Sequence, residues 1–175
     1  KLADIFSLGM VIKVQVFLLC FYLLWGMNYY RPSAAERFNL PDSGYTTADL
    51  KYVTTVLIDS ANSCRSRVTE ADLQQSDKAI YTTAIKAVTG LSDHSKGFYT
   101  YKPDIKPSML SGLLNYMSTS GYYNPFTSEA QINYQMPIYL KPFVACHEMS
   151  HQMGFGPEDE ANFAGFIAGI QSNDH

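Results

Sequence analysis

Apolar and polar residues change texture three times along the chain. From Val14 to Tyr30 the run VQVFLLCFYLLWGMNYY carries no charge over seventeen residues. From Thr47 to about Ser63, Leu50, Val53, Val56, Leu57 and Ala61 recur near a 3.6-residue period, which predicts an amphipathic helix. A second helix is expected over 69–90. Thr69 suits its N-cap, Asp72 its capping-box partner, and Leu73, Ile80, Ala84 and Val88 its apolar face, with Gly90 as the stop. Between Leu91 and Lys141, Gly, Pro, Ser and Tyr become frequent and the runs shorten. A strand is expected over 108–117. A clearer one is expected over 126–134, where Phe126, Ser128, Ala130, Ile132 and Tyr134 alternate with Thr127, Glu129, Gln131 and Asn133. Two helices close the chain, Pro142 to Gly154 and Pro157 to about Gln171. Helices, then strands, then two more helices argue for an α+β domain with a small sheet.

The uncharged run is long enough to be read as a membrane-spanning helix, near the lower limit of about 17 residues. Lys13 could snorkel at one end, and Trp25, Tyr29 and Tyr30 form an aromatic belt at the other, followed by Arg31 and Pro32. No small-residue cleavage site follows, so a signal peptide is not indicated. Lys1 and Lys13 on one side balance Arg31 and Arg37 on the other, and the charges leave the orientation open. This reading divides the chain into a membrane helix with its flank, 1–31, and a domain over 32–175. Pro32 to Gly44 connects them, with one helical turn at Ala34–Arg37.

Composition narrows the function. A chain of 175 residues that is 46% hydrophobic can build one domain with a real core. The formal net charge of −3 and the lack of a basic cluster argue against nucleic acid as a partner. Cys20, Cys64 and Cys146 are odd in number and far apart, so they form neither a disulfide framework nor a cysteine-rich metal site. His94, in Ser-Asp-His-Ser-Lys-Gly, is expected in a loop. Tyr122, Tyr123, Tyr134 and Tyr139 could each offer a phenol to a transition state, but among thirteen tyrosines none stands out.

The chemistry concentrates in His147-Glu148-Met149-Ser150-His151. On a helix, residues four apart lie one turn above each other, so both imidazoles face the same way and can hold one zinc ion. Glu148 can reach a water on that ion. Pro142 suits the first helical turn, and Gly154 the left-handed residue that ends the helix. Cys146, about 100° away around the helix, is a poor co-ligand. A catalytic zinc needs a third protein ligand, and Glu158-Asp159-Glu160-Ala161-Asn162 follows at once. Positions three, four and seven after Glu160 are apolar (Phe163, Ala164, Ile167). Those after Glu158 are small or polar (Ala161, Asn162, Gly165), which leaves room for a neighbouring helix. This favours Glu158 as ligand, with Glu160 as an outer partner or alternative ligand. Asn162 could orient a histidine ring. The expected chemistry is amide hydrolysis, with Glu148 as general base. The strand over 126–134 is expected at a sheet edge, where Thr127, Glu129, Gln131 and Asn133 would meet an extended peptide.

The site resembles that of the gluzincin metallopeptidases, in which a downstream Glu in an E-x-x-A-D or E-x-E-A-N pattern completes the zinc site. Glu158 to Asn162 matches the second pattern. More closely, the chain resembles a bacterial membrane-protein family of unknown function with a gluzincin-like site. Leu24–Pro32, Gly121–Asn133 and Pro142–Phe166 carry that likeness. The resemblance implies a membrane-bound zinc peptidase with a zincin-like fold over 32–175, a zinc cofactor and a place in the bacterial inner membrane, in contact with the lipid bilayer. It implies no known substrate, and the expectation of a peptide or protein substrate comes from the amide-hydrolysis chemistry. It also implies that the chain is a fragment, incomplete at its C-terminus. The contrasting readings are a non-enzymatic membrane protein with a structural or sensory zinc, and a membrane-anchored interaction module without metal.

Overall fold

The computed structural model describes residues 7–41 and 44–172. Lys1, one of the charges that bear on orientation, lies outside them. Helix α1 spans Leu8–Leu24, with the Ser7 hydroxyl accepting from the Met10 N–H at 3.3 Å. At a rise of about 1.5 Å per residue its seventeen residues cover roughly 25 Å, short of the roughly 30 Å hydrocarbon core. Trp25 ends it at φ −146° and ψ −45°, and Gly26–Tyr30 continues as a 3₁₀ helix. The uncharged run is therefore split between two elements. Among the described residues, no helix is long and apolar enough to cross a membrane. The expected membrane-spanning helix is corrected accordingly, and the expected belt residue Trp25 is buried against the rest of the protein.

The balance of elements is corrected too. The described chain is mostly helical with one small sheet, rather than the expected α+β zincin-like domain behind a membrane helix. Helix α2 (Ala34–Arg37) starts at a Ser33–Glu36 capping box, and α3 (Thr47–Arg65) at a Thr46–Asp49 box. The apolar stripe foreseen on α3 is real as a pattern, yet α3 buries none of its residues. The helix expected over 69–90 is two helices. The Thr69–Asp72 box caps only α4 (Glu70–Leu73), and Ser76 starts the long helix α5 (Asp77–His94). Gly90 does not stop α5, because the buried Leu91 beyond it holds the last turn on the core.

The extended segments are shorter than expected. Strand β1 is Ile105–Pro107, and most of 108–117 forms helix α6 (Ser111–Tyr116). Strand β2 is Gly121–Asn124, and β3 is Glu129–Ile132. The order is β1-β3-β2, with Ile105 opposite Ala130 in a parallel pair and Tyr123 opposite Ala130 in an antiparallel one. Phe126, Thr127 and Ser128, expected in the strand, form the turn between β2 and β3, with Ser128 at φ 55°.

Ile105, Ala130 and Ile132 turn one face of the sheet onto helix α7 (Lys141–Gln152). Helices α5 and α8 (Glu158–Gln171) cover the other side of α7. Ile80, Ala84, Val88, Ala145, Met149, Ala161, Ala164 and Ala168 fill the space between the three helices. The nearly buried Lys141 ammonium donates to Asp77 at 2.6 Å, joining the starts of α7 and α5. Tyr81 is a misfit in this core. Its hydroxyl is buried without a hydrogen-bond partner among the described residues, and burial, then the nearby Asp77, pushes its pKa up to about 12. An unpaired buried hydroxyl costs about 1–3 kcal/mol. Tyr81→Phe is therefore expected to raise the urea midpoint, by up to about 1 kcal/mol of stability. A clear loss of stability would show that the hydroxyl has a partner.

Candidate metal centre

Helix α7 carries Pro142 in its first turn, where the missing N–H is not needed. Val144, Ala145 and Met149 face the core, which leaves His147 and His151 one turn apart on the face of a cleft. Gly154 ends the segment at φ +86°. A Cβ there would collide with Arg31 Nη1. That nitrogen donates to the carbonyls of Met153 at 3.2 Å and Gly154 at 3.4 Å, placing a cation at the negative end of the helix. The chain then turns back through Pro157, and α8 runs beside α7.

The turn brings Glu158 to the histidines. Its Oε2 lies 3.2 Å from His147 Nε2 and its Oε1 3.7 Å from His151 Nε2. The three ligand atoms of His147, His151 and Glu158 all fall within 4.8 Å of one another. Tetrahedral zinc with bonds of about 2.0–2.1 Å needs ligand atoms roughly 3.3 Å apart, so small side-chain shifts suffice. Glu158, with 76% of its side chain exposed, has the freedom to make them. His151 is already oriented. Its Nδ1 lies 2.7 Å from the Phe155 carbonyl, which can only accept, so in the neutral ring Nδ1 carries the proton and Nε2 keeps its lone pair for the site. Burial is the main force lowering the His151 pKa, which favours that neutral form. His147 Nδ1 is buried without a hydrogen-bond partner among the described residues. The donor set and the fixed tautomer fit zinc.

Glu160 is turned elsewhere. Its Oε1 accepts the Ala34 N–H at 2.7 Å, tying α8 to the start of α2. Asn162 lines the cleft, but the partner of His151 Nδ1 is the Phe155 carbonyl rather than Asn162. Glu148 is buried in the cleft wall at 5% exposure. Desolvation, then the negative charge of Glu158, pushes its pKa up to about 8. The cleft encloses about 530 Å³ and includes Ser118, Thr119, Ser120 and Gly121 on its rim.

A family model described as protein of unknown function (DUF3810) matches residues 3–175. The chain belongs to the DUF3810 family. No curated protein and no solved structure matches it.

Three residues of the site escaped the sequence reading. A Cβ on Gly121 would lie 2.7 Å from Glu148 Oε1 and 2.8 Å from the Gln131 carbonyl oxygen, so only glycine leaves room for that carboxylate. The Trp25 ring sits 4.5 Å from Tyr123 and meets His151 edge-on at 5.9 Å, centroid to centroid. Tyr29 lines the cleft and covers Gly156. The usable signal lay in Leu24–Pro32 and Gly121–Asn133, two stretches noted for their resemblance but given no chemistry.

Other candidates fall away from the site. The proposed substrate strand is corrected: β3 is the middle strand, paired on both sides, so its backbone has no free edge. The Thr127 hydroxyl donates to Glu129, which pairs with Lys106. Gln131 accepts from the Tyr122 hydroxyl at 2.7 Å, and the buried Asn133 donates to Asn115 at 2.7 Å. Tyr134 accepts from Gln135, and Tyr139 lines a different groove, which leaves Tyr123 as the member of the tyrosine set beside the histidines. His94 ends α5, in a separate depression with Lys86. Cys146 is buried, desolvation pushes its thiol up to about 12, and its sulfur is not among the clustered ligand atoms of His147, His151 and Glu158.

Proposed function

We propose that this chain is a zinc-dependent peptidase. The observation that carries the reading is one cleft holding three clustered ligands, His147, His151 and Glu158, with Glu148 in the same wall. A structural zinc takes four protein ligands, whereas a catalytic one takes three and keeps a position for water. When bound, zinc supplies an acidified water and a Lewis acid for a carbonyl oxygen. Glu148 takes the proton from the attacking water and delivers it to the leaving amine. The edge strand β2 runs along the cleft, and its outer backbone groups can hold an extended peptide in the manner first expected of β3. The gluzincin-like pattern of Glu158 to Asn162 supports the same assignment.

The test joins zinc analysis of the purified protein with cleavage of a peptide library. Glu148→Gln is expected to retain zinc and to lose cleavage by about 10²–10⁴-fold. Zinc without cleavage in the unmutated protein overturns the peptidase reading. Gly121→Ala is expected to act through the same carboxylate, lowering cleavage by roughly 10²-fold while zinc affinity stays within about threefold, because it displaces Glu148 and touches no ligand. Equal cleavage by the Gly121→Ala protein would show that Glu148 is free to move without consequence.

A further inference from the structure

The valley between α7 and α8 does not end at the metal centre. Along α8, Glu158, Asn162, Phe166 and Ile170 recur every four residues, and all four are exposed. Residues spaced in this way share one helical face. Along the antiparallel α7, His151, His147 and Phe143 form the facing row. Glu158, Asn162, His147 and His151 line the catalytic cleft, while Phe166 and Ile170 line a second groove of about 370 Å³. Phe143 lines both, with its ring centroid 6.3 Å from that of His147. The valley is thus polar at the metal end and apolar beyond Phe143, where Cys146 and Ile80 also line it.

We propose that this groove is a substrate subsite that takes apolar side chains of the peptide whose backbone crosses the metal centre. The proposal rests on the peptidase reading for the identity of that peptide. Continuity through Phe143 is what selects this occupant. Phe143 stands one turn, about 5.4 Å, beyond His147. Extended peptide advances about 3.3 Å per residue, so the apolar groove begins roughly two residues from the scissile bond. Ile170 lies twelve residues past Glu158 on α8, about 18 Å, so the valley holds roughly five residues of extended chain. The substrate class is a polypeptide segment with two or more large apolar residues on one side of the cleaved bond.

The experiment uses the whole chain, first without metal. A fluorescein-labelled decapeptide bearing Leu and Phe on one side of its centre is compared by anisotropy with a control in which those residues are Ser and Gln. Phe166→Asp and Ile170→Asp change exposed positions outside the metal centre, and circular dichroism confirms that each variant folds. The apolar peptide is expected to bind at least about tenfold more tightly than the control, and each variant to lose at least about fivefold, since a bound apolar side chain would strip water from the new carboxylate without giving it a partner. Equal binding of the two peptides, or unchanged binding by both variants, overturns the subsite. Self-association that Ile170→Asp abolishes, without peptide preference, overturns it in favour of a second copy as the occupant. The zinc-loaded protein then separates the two readings. Preferential binding without cleavage leaves the groove standing and removes the peptidase, whereas cleavage without apolar preference does the reverse.

Discussion

Glu158→Ala is expected to lower zinc affinity by more than about 100-fold, since loss of even outer partners of a metal ligand costs about 10–100-fold. Glu160→Ala is expected to change it by less than about threefold. The two residues lie two positions apart, so they leave α8 about 200° apart. Glu158 projects over the valley, with its carboxylate 3.2 and 3.7 Å from the two Nε2 atoms. Glu160 projects toward the N-terminal segment, where it accepts the Ala34 N–H. Losing that charge-assisted bond should cost stability instead, about 1 kcal/mol at this partly exposed position. Competition with a chromogenic chelator measures the first effect and thermal denaturation the second. The reverse ranking of zinc affinities would show that Glu160 leaves Ala34 and takes the place of Glu158 as the third ligand.

Gly165→Val should disrupt the fold and the centre together. A Cβ at Gly165 would lie 2.9 Å from both the Cα and the N of His147. These are backbone atoms of a buried helix and cannot swing aside as the end of a side chain can. Overpacking of this kind costs about 1–3 kcal/mol, and valine adds more volume than alanine. Relief comes from spreading α8 away from α7, which also parts Glu158 from the histidines, so zinc affinity should fall by at least about tenfold. Gly169→Ala is the matched control, because nothing lies within 4 Å of its Cβ position. There the better helix propensity of alanine should add about 0.5–1 kcal/mol. Urea denaturation of the two variants gives the comparison. A Gly165→Val protein as stable as the unmutated one would mean that the two helices are not in close contact at His147.

Several parts of this chain were legible without coordinates because their causes are local. The His147–His151 pair needs only the helical period, and Pro142 and Gly154 mark the ends of that helix through their own backbone preferences. The Ala34–Arg37 turn stands where it was expected, and the Thr69–Asp72 box does start a helix, though the short α4 rather than one running to Gly90. The small residues Ala161 and Gly165 showed which face of α8 approaches α7, and both are buried there.

Errors arose where a local signal met a distant contact. The uncharged run suggested a membrane helix, but Trp25 leaves helical geometry to pack on Tyr123 and His151, about a hundred residues and more away in the chain. Alternation over 126–134 marked an extended segment, and Ala130 and Ile132 do face the core. Alternation reports which side of a strand is buried, not how many neighbours it pairs with, so the central position of β3 was invisible. The fit of Glu148 against Gly121 is of the same kind, since it exists only after β2 and α7 have met. The sequence by itself determined the helix that carries His147, Glu148 and His151, the turn that follows it and the face of α8 that returns. The tertiary structure alone decided that Glu160 is held away by Ala34, that Gly121 makes space for Glu148 and that the valley beyond Phe143 is apolar. Period, caps and turns act within about one helical turn, whereas ligand choice and cleft shape depend on where separate elements come to rest against one core.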